Sequence, residues 1–329
     1  MASNFWTSSH HKLLMDPEEV DVVHPLDRER GITVEDFKLI KLHMSNYISK
    51  LAQHIKIRQR VVATAITYMR RVYTRKSLTE YEPRLIAPTC LYLASKAEES
   101  VVHAKLLGFY IRKLCNLRSY YFLDRVFLNN FLYLLLFERR NVDDLLLIHS
   151  TDADDKYRYE IKYILEMEMK MLEALNFYLV VFHPYRSLPE LLQDAGINDT
   201  SMTHLSCLCS KSLWTLLKWL SARTISSRRV TLNTDHNHNH RHRLALGLVN
   251  DTYRMDLILV HPPYLIALAC VYIASVYKEK DIRSWLEELC VDMNVVKNIA
   301  MEILDFYENH RTITEERVHS AFSKLGKKP

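Results

Sequence analysis

The sequence predicts an all-α protein built from a duplicated helical unit. Segment 85–99 reads LIAPTCLYLASKAEE and segment 265–279 reads LIALACVYIASVYKE, so one apolar helix is written twice. The chain has only five glycines in 329 residues, while residues that favour helices, such as Leu, Met, Ala, Lys and Glu, are frequent. Because similarity between distant parts of a chain indicates a repeated domain, we expect two helical repeats in tandem.

Composition narrows the possible functions. A chain of 329 residues can form two domains that each bury a core. Its glycines are too widely spaced for a GxGxxG turn or a Walker loop, which argues against nucleotide binding by those routes. The net charge of +5 is mild, and basic residues alternate with acidic ones, so no nucleic-acid partner is expected.

Cysteine usage and the N-terminus bear on the cellular compartment. Six cysteines occur, and four of them fall in apolar helical patterns, which predicts buried thiols and not a disulfide framework: Cys90, Cys115, Cys270 and Cys290. The opening MASNFWTSSHHK lacks the apolar core of a signal peptide. We therefore expect a reducing compartment.

The N-terminal third predicts an arm followed by long helices. Residues 1–36 form the arm, with the aromatic residues Phe5 and Trp6 near its start. Thr33, followed by acidic residues, is typical of a capped helix N-terminus. A helical stripe of apolar residues then begins at Val62 and ends in a basic pair: Ala65, Ile66, Met69, Val72, Tyr73, then Arg70 with Arg71.

The repeated helix is predicted at 83–99, and a second similarity follows each copy. Residues 175–178 read LNFY and residues 304–307 read LDFY, which predicts a second matching helix in each repeat. The stretch between the repeated helix and this second match is longer in the first repeat than in the second. Its extra residues fall at 115–153, where Leu and Phe are frequent but form no clean helical face.

A membrane span in 115–153 is the alternative interpretation of that segment. Asp124, Arg125 and two asparagines interrupt it. The uncharged apolar run 131–137 is far shorter than the roughly 20 residues that a membrane helix needs. We therefore favour an inserted or poorly packed segment and expect no membrane association.

A second unusual segment, 206–245, ends in the histidine-rich sequence DHNHNHRHR. Four alternating histidines with two upstream cysteines raise the possibility of a zinc site: His236, His238, His240, His242, Cys207 and Cys209. Their spacing matches no structural zinc pattern, and the alternation is typical of a disordered polar run. We expect 235–243 to be mobile and to bind no metal.

Two charged residues stand out among apolar neighbours. Glu168 shares a helical face with Ile164, Leu172 and Leu175. A carboxylate there either pairs with a cation inside the fold or faces a partner protein. Lys96 lies in the first copy of the repeated helix, where the second copy has a valine. The alternative is that both are solvated flanking residues.

The chain resembles the C-type cyclins over most of its length. The resemblance lies in segments 56–100, 166–188 and 249–275 and in the opening MASNFWTSSH. It implies two tandem five-helix cyclin boxes after an N-terminal arm. The implied domains are the arm 1–36, a first box 37–182 with the insertion 115–153, a second box 183–309 with the insertion 206–245, and a C-terminal tail 310–329.

The resemblance also implies a function. A C-type cyclin is a nuclear, non-catalytic subunit that binds a cyclin-dependent kinase of the Mediator kinase module, with no cofactor, and so regulates transcription. The family's kinase-contacting lysine and glutamate correspond to Lys96 and Glu168. We add Glu99, Phe5 and Trp6 as partner-binding residues, the last two because exposed aromatic side chains often anchor interfaces.

Alternatives remain open from the sequence. Cell-cycle cyclins dock substrates through a patch that here corresponds to Ile40–Met44 followed by Tyr47, and its changed residues argue against that docking. The main rival is a cyclin-fold general transcription factor, although no cysteine precedes Cys90 to form its zinc ribbon. The two insertions could also be translated intron sequence, which would leave an inactive isoform.

Overall fold

The computed structural model describes residues 4–116, 161–195, 239–277, 281–310 and 313–326. Every regular element in these ranges is a helix, which confirms the all-α prediction. Most of 115–153 and of 206–245 lies outside them. The exceptions are residues 115–116, which end one helix, and residues 239–245, which lie in another.

The described helices form an arm, a first repeat of five helices, a second repeat of six and a C-terminal helix. The arm holds a 3₁₀ turn and three short helices: Phe5–Thr7, α1 (Ser9–Lys12), α2 (Pro17–Val20) and α3 (Pro25–Glu29). The first repeat comprises α4 (Val34–Ile55), α5 (Gln59–Tyr73), α6 (Pro83–Ala97), α7 (Ala104–Asn116) and α8 (Ile161–Ala174).

The second repeat follows the same plan, with one additional short helix. It comprises α9 (Pro184–Asp194), α10 (Asn239–Thr252), the short α11 (Leu257–Val260), α12 (Pro263–Tyr277), α13 (Arg283–Glu288) and α14 (Met293–His310). The last helix is α15 (Glu315–Lys324). The predicted C-terminal tail therefore contains a helix, and this helix packs against α4.

The duplicated segment forms the central helix of each repeat. Helices α6 and α12 each have 15 residues and begin at equivalent prolines, Pro83 and Pro263. Proline is favoured in the first turn because the N–H that it lacks would have no partner within the helix at that position. Helix α6 packs against α4, α5 and α8, while α12 packs against α9, α10 and α14. The apolar sequence is repeated because both helices are surrounded by others.

The start of α4 agrees with its predicted cap. Thr33 Oγ1 accepts a hydrogen bond from the backbone N–H of Asp36 at 3.2 Å, and Asp36 Oδ2 accepts one from the N–H of Thr33 at 3.0 Å. This reciprocal pair is a capping box, which satisfies N–H groups that have no partner within the helix.

The second sequence similarity, between LNFY at 175–178 and LDFY at 304–307, does not correspond to matching structures. Residues 304–307 lie inside α14, but residues 175–178 follow the end of α8 at Ala174. Asn176 and Phe177 have φ angles of 51° and 59°, in the left-handed region, which a continuing helix cannot contain. The chain turns here and leads through an extended segment to the second repeat.

Two other expectations need correction. Cys90 and Cys270 are buried as predicted, but Cys290 is exposed because the chain leaves α13 just before it. The histidine-rich 235–243 was expected to be mobile, yet its residues from Asn239 onward belong to α10. Among the described helices, none is long and apolar enough to cross a membrane.

A buried ion cluster joins the two repeats. Arg70 on α5 donates to Asp256 Oδ1 at 2.7 Å and to the Tyr253 carbonyl at 3.0 Å. Lys41 on α4 donates to the other Asp256 oxygen at 2.9 Å. Both cations are 2% exposed. Asp256 precedes α11 in the second repeat, so its carboxylate links that repeat to two helices of the first.

Acid should weaken this link. Burial alone would raise the pKa of Asp256, but Arg70 and Lys41 outweigh it and lower the pKa from 3.8 to about 2. A depressed carboxyl pKa stabilises the fold above the unfolded value and loses that effect as pH falls through the folded one. The loss between pH 4 and 2 should be about 2 kcal/mol.

We therefore expect Asp256→Asn to destabilise the protein near pH 7 by about 3 kcal/mol, since it leaves buried Arg70 without a carboxylate and leaves buried Lys41 with only that of Asp21, 3.4 Å away. The variant should also lose its share of the acid dependence. Chemical denaturation at several pH values measures both effects. Asp281→Asn is the control, because Asp281 is exposed and its carboxylate contacts Arg283, through an ion pair and a bond from the Arg283 N–H. Equal acid profiles for Asp256→Asn and the unmodified protein would contradict the assignment.

Candidate partner-binding site

Lys96 and Glu168, selected separately from the sequence, form an ion pair. Lys96 Nζ lies in the last turn of α6, 2.8 Å from Glu168 Oε1 and 2.9 Å from Oε2 on α8. The same ammonium lies 4.2 Å from the centre of the Tyr92 ring, one turn earlier. The packing of α6 against α8 brings the two charges together.

The pair lies at the surface, with its two members exposed to different extents. The Lys96 side chain is 40% exposed, whereas that of Glu168 is 10% exposed, so Glu168 is not a solvated flanking residue. Partial burial favours a neutral lysine, but the hydrogen bond and the negative charge of Glu168 outweigh it and raise the pKa of Lys96. Lys96 therefore stays charged at neutral pH.

Exposed apolar side chains lie on or just after the two helices that hold this pair. Met169 adjoins Glu168, Val101 follows α6, and Phe177 and Val180 follow α8. Each of these four side chains is more than half exposed, at 58%, 67%, 63% and 59%. A charged pair accompanied by exposed apolar groups is the composition expected of a protein interface.

Glu99, the third predicted site residue, caps the end of α6. Its N–H donates to the Lys96 carbonyl at 3.2 Å, and the Ser100 N–H donates to the Ser95 carbonyl at 2.8 Å. This is the Schellman arrangement, which requires a left-handed residue at the position of Glu99. Its φ is 54°, and its side chain is exposed. Glycine usually occupies this position, so the sequence gives no structural reason for a glutamate there.

Phe5 and Trp6 lie against the junction between the repeats. Phe5 is half-buried, and its ring contacts Phe182 with a centroid distance of 5.5 Å. Trp6 lies 5.9 Å from Tyr264 at the start of α12, and 53% of it remains exposed. Phe5 therefore packs mainly within the chain, while Trp6 presents the larger free surface.

Sequence reasoning missed a hydrogen-bond network centred on Glu98. Glu98 Oε2 lies 2.7 Å from Arg60 Nε, and Oε1 accepts a bond of 2.7 Å from the Thr64 hydroxyl. His183 Nε2 lies 2.8 Å from the same hydroxyl, and His183 Nδ1 lies 2.5 Å from the Tyr253 hydroxyl. The signal was present, because the second repeat has a lysine at the position equivalent to Glu98.

The network holds its histidine neutral. Burial is the main cause that lowers the pKa of His183, and it outweighs the nearby Glu98 carboxylate. A neutral ring bonded in this way donates from Nε2 to Thr64 and accepts at Nδ1 from Tyr253. For Glu98, burial alone would raise the pKa, but the nearby His183 ring and the hydrogen bond from Thr64 lower it. Residues of both repeats thus fix the end of α6.

A cleft of about 380 Å³ lies beside this network. Its walls come from Arg60, the end of α6 and the extended segment after α8: Ala97, Glu98, Leu179, Val180 and Val181. No group of three or more potential metal ligands occurs among the residues that the structure describes. Two of its lining residues, Ala97 and Glu98, directly follow Lys96 in the sequence.

Comparison with known proteins identifies the family to which this chain belongs. Residues 33–180 match the model of the cyclin N-terminal domain. The chain is 65% identical over 329 residues to Cyclin-C1-2 of Arabidopsis thaliana, with all of both chains covered. The chain belongs to the C-type cyclins. It is also 56% identical to Cyclin-C1-1 of Arabidopsis thaliana, over all of both chains, and 31% identical to Cyclin-C of Rattus norvegicus, covering 99% of this chain and 91% of that one.

Solved structures agree on the fold of this cyclin. A chain of the yeast TFIIK (Kin28/Ccl1/Tfb3) complex has a TM-score of 0.54 at 17% identity and covers 92% of this chain and 99% of its own. A chain of the CAK complex from Chaetomium thermophilum has a TM-score of 0.58 at 14% identity and covers 98% and 88%. At these identities the likeness concerns the fold alone.

The cap of α6 gives a stability test. Glu99→Gly should raise the free energy of unfolding of the cyclin by about 1 kcal/mol, because glycine adopts a positive φ without the cost that a side chain carries. Glu99→Ala removes the same carboxylate but keeps a Cβ, so its stability should stay near that of the unmodified protein. Urea denaturation compares them. A glycine variant that is less stable than the alanine variant would contradict the left-handed cap.

The two aromatic residues of the arm should respond differently to truncation. Phe5→Ala should lower the melting temperature, because its ring packs on Phe182 and the neighbouring histidines. Trp6→Ala should change the melting temperature less, since half of its surface is already in water. Thermal denaturation followed by circular dichroism measures both. The reverse order would show that Trp6, not Phe5, holds the arm in place.

Proposed function

We propose that this cyclin is a non-catalytic regulatory subunit that binds and activates a cyclin-dependent kinase of the Mediator kinase module, and so regulates transcription by RNA polymerase II in the nucleus. Membership in the C-type cyclins supports the kinase partner. The observation that carries the proposal is the Lys96–Glu168 pair at the surface end of the first repeat.

The chemistry of the pair suits the backbone of a helix in the partner. An ammonium has three donors, of which Lys96 uses two on Glu168. Each carboxylate oxygen keeps a lone pair that can accept another hydrogen bond. The pair can therefore donate and accept at once, while Met169 and Phe177 supply apolar contact. Such a surface can hold one helix in a fixed orientation.

Kinase activation follows from holding the mobile αC helix of the kinase. Catalysis requires the β3 lysine of the kinase to pair with the αC glutamate. A partner that binds only the inward position of αC shifts the kinase toward the active state. The cyclin then contributes no catalytic group. It supplies a rigid surface, and the capped end of α6 places Lys96 and Glu99 on that surface.

The domain limits and further partners belong to the same proposal. The first box, 37–182, would carry the kinase contacts, and the second box, 183–309, would support them across the ion cluster. Trp6 adds an exposed aromatic residue near the junction, of the kind that often dominates binding energy. We assign it, with Phe5, to the contact with the kinase or with other subunits of the kinase module.

A charge exchange tests the site without relying on single truncations. Lys96→Glu and Glu168→Lys should each weaken kinase binding, since losing one member of a desolvated charge pair costs roughly 2 to 5 kcal/mol. The double exchange restores an ion pair within the cyclin and should recover its melting temperature. It should not recover kinase binding, because donor and acceptor are reversed toward the partner. Calorimetric titration with the purified kinase measures affinity, and a peptide assay measures activation.

Val276→Ala is the matched control, because Val276 occupies the position of Lys96 in the second repeat. It should leave kinase binding unchanged and, being only half-buried, should cost little stability. Recovery of binding by the double exchange would show that the pair is only an internal bridge. Co-purification from nuclear extract tests the kinase itself. If promoter DNA were bound and no kinase recovered, the general transcription factor would be favoured instead.

A further inference from the structure

The C-terminal helix α15 packs against α4, the first long helix of the chain. It follows α14 of the second repeat after a short connection, yet it packs against α4 of the first repeat. Val318 and Ala321 face the protein, at 5% and 0% exposure. Phe322 lies 5.3 Å from the ring of His43 and 5.5 Å from the guanidinium of Arg84. The helix thus connects the end of the second repeat to the start of the first.

Ion pairs supply much of this contact. Lys324 Nζ lies 2.6 Å from Asp36 Oδ2, and Arg317 lies 2.9 Å from Glu35 Oε2. Arg30 adds a bond of 2.5 Å to the Leu325 carbonyl. Burial alone would raise the pKa of Asp36, but bonds from Lys324 and Thr33 lower it. The two acids begin α4, so two cations of α15 hold the helix against a negative site.

Ser320 lies between these two cations on the surface of α15. Arg317 is three residues before it and Lys324 four residues after it, and these are the spacings at which helical side chains meet. Ser320 is exposed, and its hydroxyl makes no hydrogen bond to any described residue. Ser323, on the same helix, is also exposed, but it lies six residues from Arg317 and directly beside Lys324, where side chains diverge.

We propose that Ser320 is a phosphorylation site that releases α15 from α4. A protein serine kinase would transfer the γ-phosphoryl group of ATP to Ser320 Oγ. The bond from the γ-phosphorus to the bridging oxygen breaks, ADP leaves, and the hydroxyl proton passes to a base of that kinase. The product carries nearly two negative charges and three acceptor oxygens beside Arg317 and Lys324.

The new phosphate competes with Glu35 and Asp36 for the two cations. Charge-assisted bonds to phosphate are strong, and the added negative charge also repels the acidic start of α4. An isolated helix of ten residues is marginal in water, so α15 depends on its contact with α4. Release would uncover the part of α4 around His43. Lys96 should be spared, because Arg84 lies 12 residues before it, about 18 Å along the helix axis.

Encoded phosphoserine tests the proposal in the full chain. Hydrogen exchange of α15 and of the first turns of α4 should accelerate about fivefold with phosphoserine at 320, since exposed ion pairs contribute modestly. Phosphoserine at 323 is the matched control, with the same charge on the same helix, and should have a smaller effect. Equal effects at the two positions, or no effect at 320, would overturn the release mechanism.

A variant that lacks the two cations tests whether the phosphate acts by competing for them. In Arg317→Ala with Lys324→Ala, α15 should already exchange faster. Phosphoserine at 320 should then add only the smaller effect of its repulsion from the acidic start of α4, because the cations that it withdraws are absent. A full additional effect there would refute the competition. Incubating the unmodified chain with nuclear extract and ATP should place phosphate on Ser320, and Ser320→Ala should lose it. Phosphate found only on other residues would refute the modification site.

Discussion

The arrangement of the two repeats depends on one half-buried carboxylate. Asp256 binds Arg70 and Lys41, which come from different helices of the first repeat, and both cations are almost fully removed from water. Charges buried in this way are tolerated only when they are paired and hydrogen-bonded. The cluster is therefore satisfied in one relative position of the repeats. Apolar packing alone would restrict that position less, because it has little directional preference.

The repeated helix shows how one sequence can serve two purposes. Most of α6 and α12 is apolar, since each helix lies at the centre of its repeat. They diverge in the last turn, where the first copy carries Lys96 and Glu98 and the second carries neither. Lys96 meets Glu168 at the surface, while Glu98 joins Thr64 and the linker histidine His183. Packing determines the apolar residues that the two helices share, and contacts at the surface determine the residues in which their last turns differ.

Local signals made much of this structure predictable. The capped start of α4 and the polar residues on an apolar face follow from short-range patterns, and the duplicated central helix follows from the similarity of two short segments. Contacts between distant residues were not predictable from such patterns. The sequence places the Arg70–Arg71 pair at the end of an apolar stripe and gives no partner for it, but Arg70 meets an aspartate 186 positions away. The similarity between LNFY and LDFY was misleading, because Asn176 and Phe177 adopt left-handed backbone angles that end the helix of the first repeat. Such strained angles persist only where tertiary contacts support them, and the sequence pattern does not show those contacts.

Pairing of Lys96 with Glu168 in the free chain has a consequence for association. A long, flexible lysine normally loses rotamer freedom when it enters an interface, and that loss weakens binding. Here the carboxylate and the face of Tyr92 already restrict the ammonium before any partner arrives. Much of the ordering entropy is thus lost on folding and not on binding. Glu168 can therefore strengthen association even through bonds that it never makes to the partner, by keeping its neighbour preorganised.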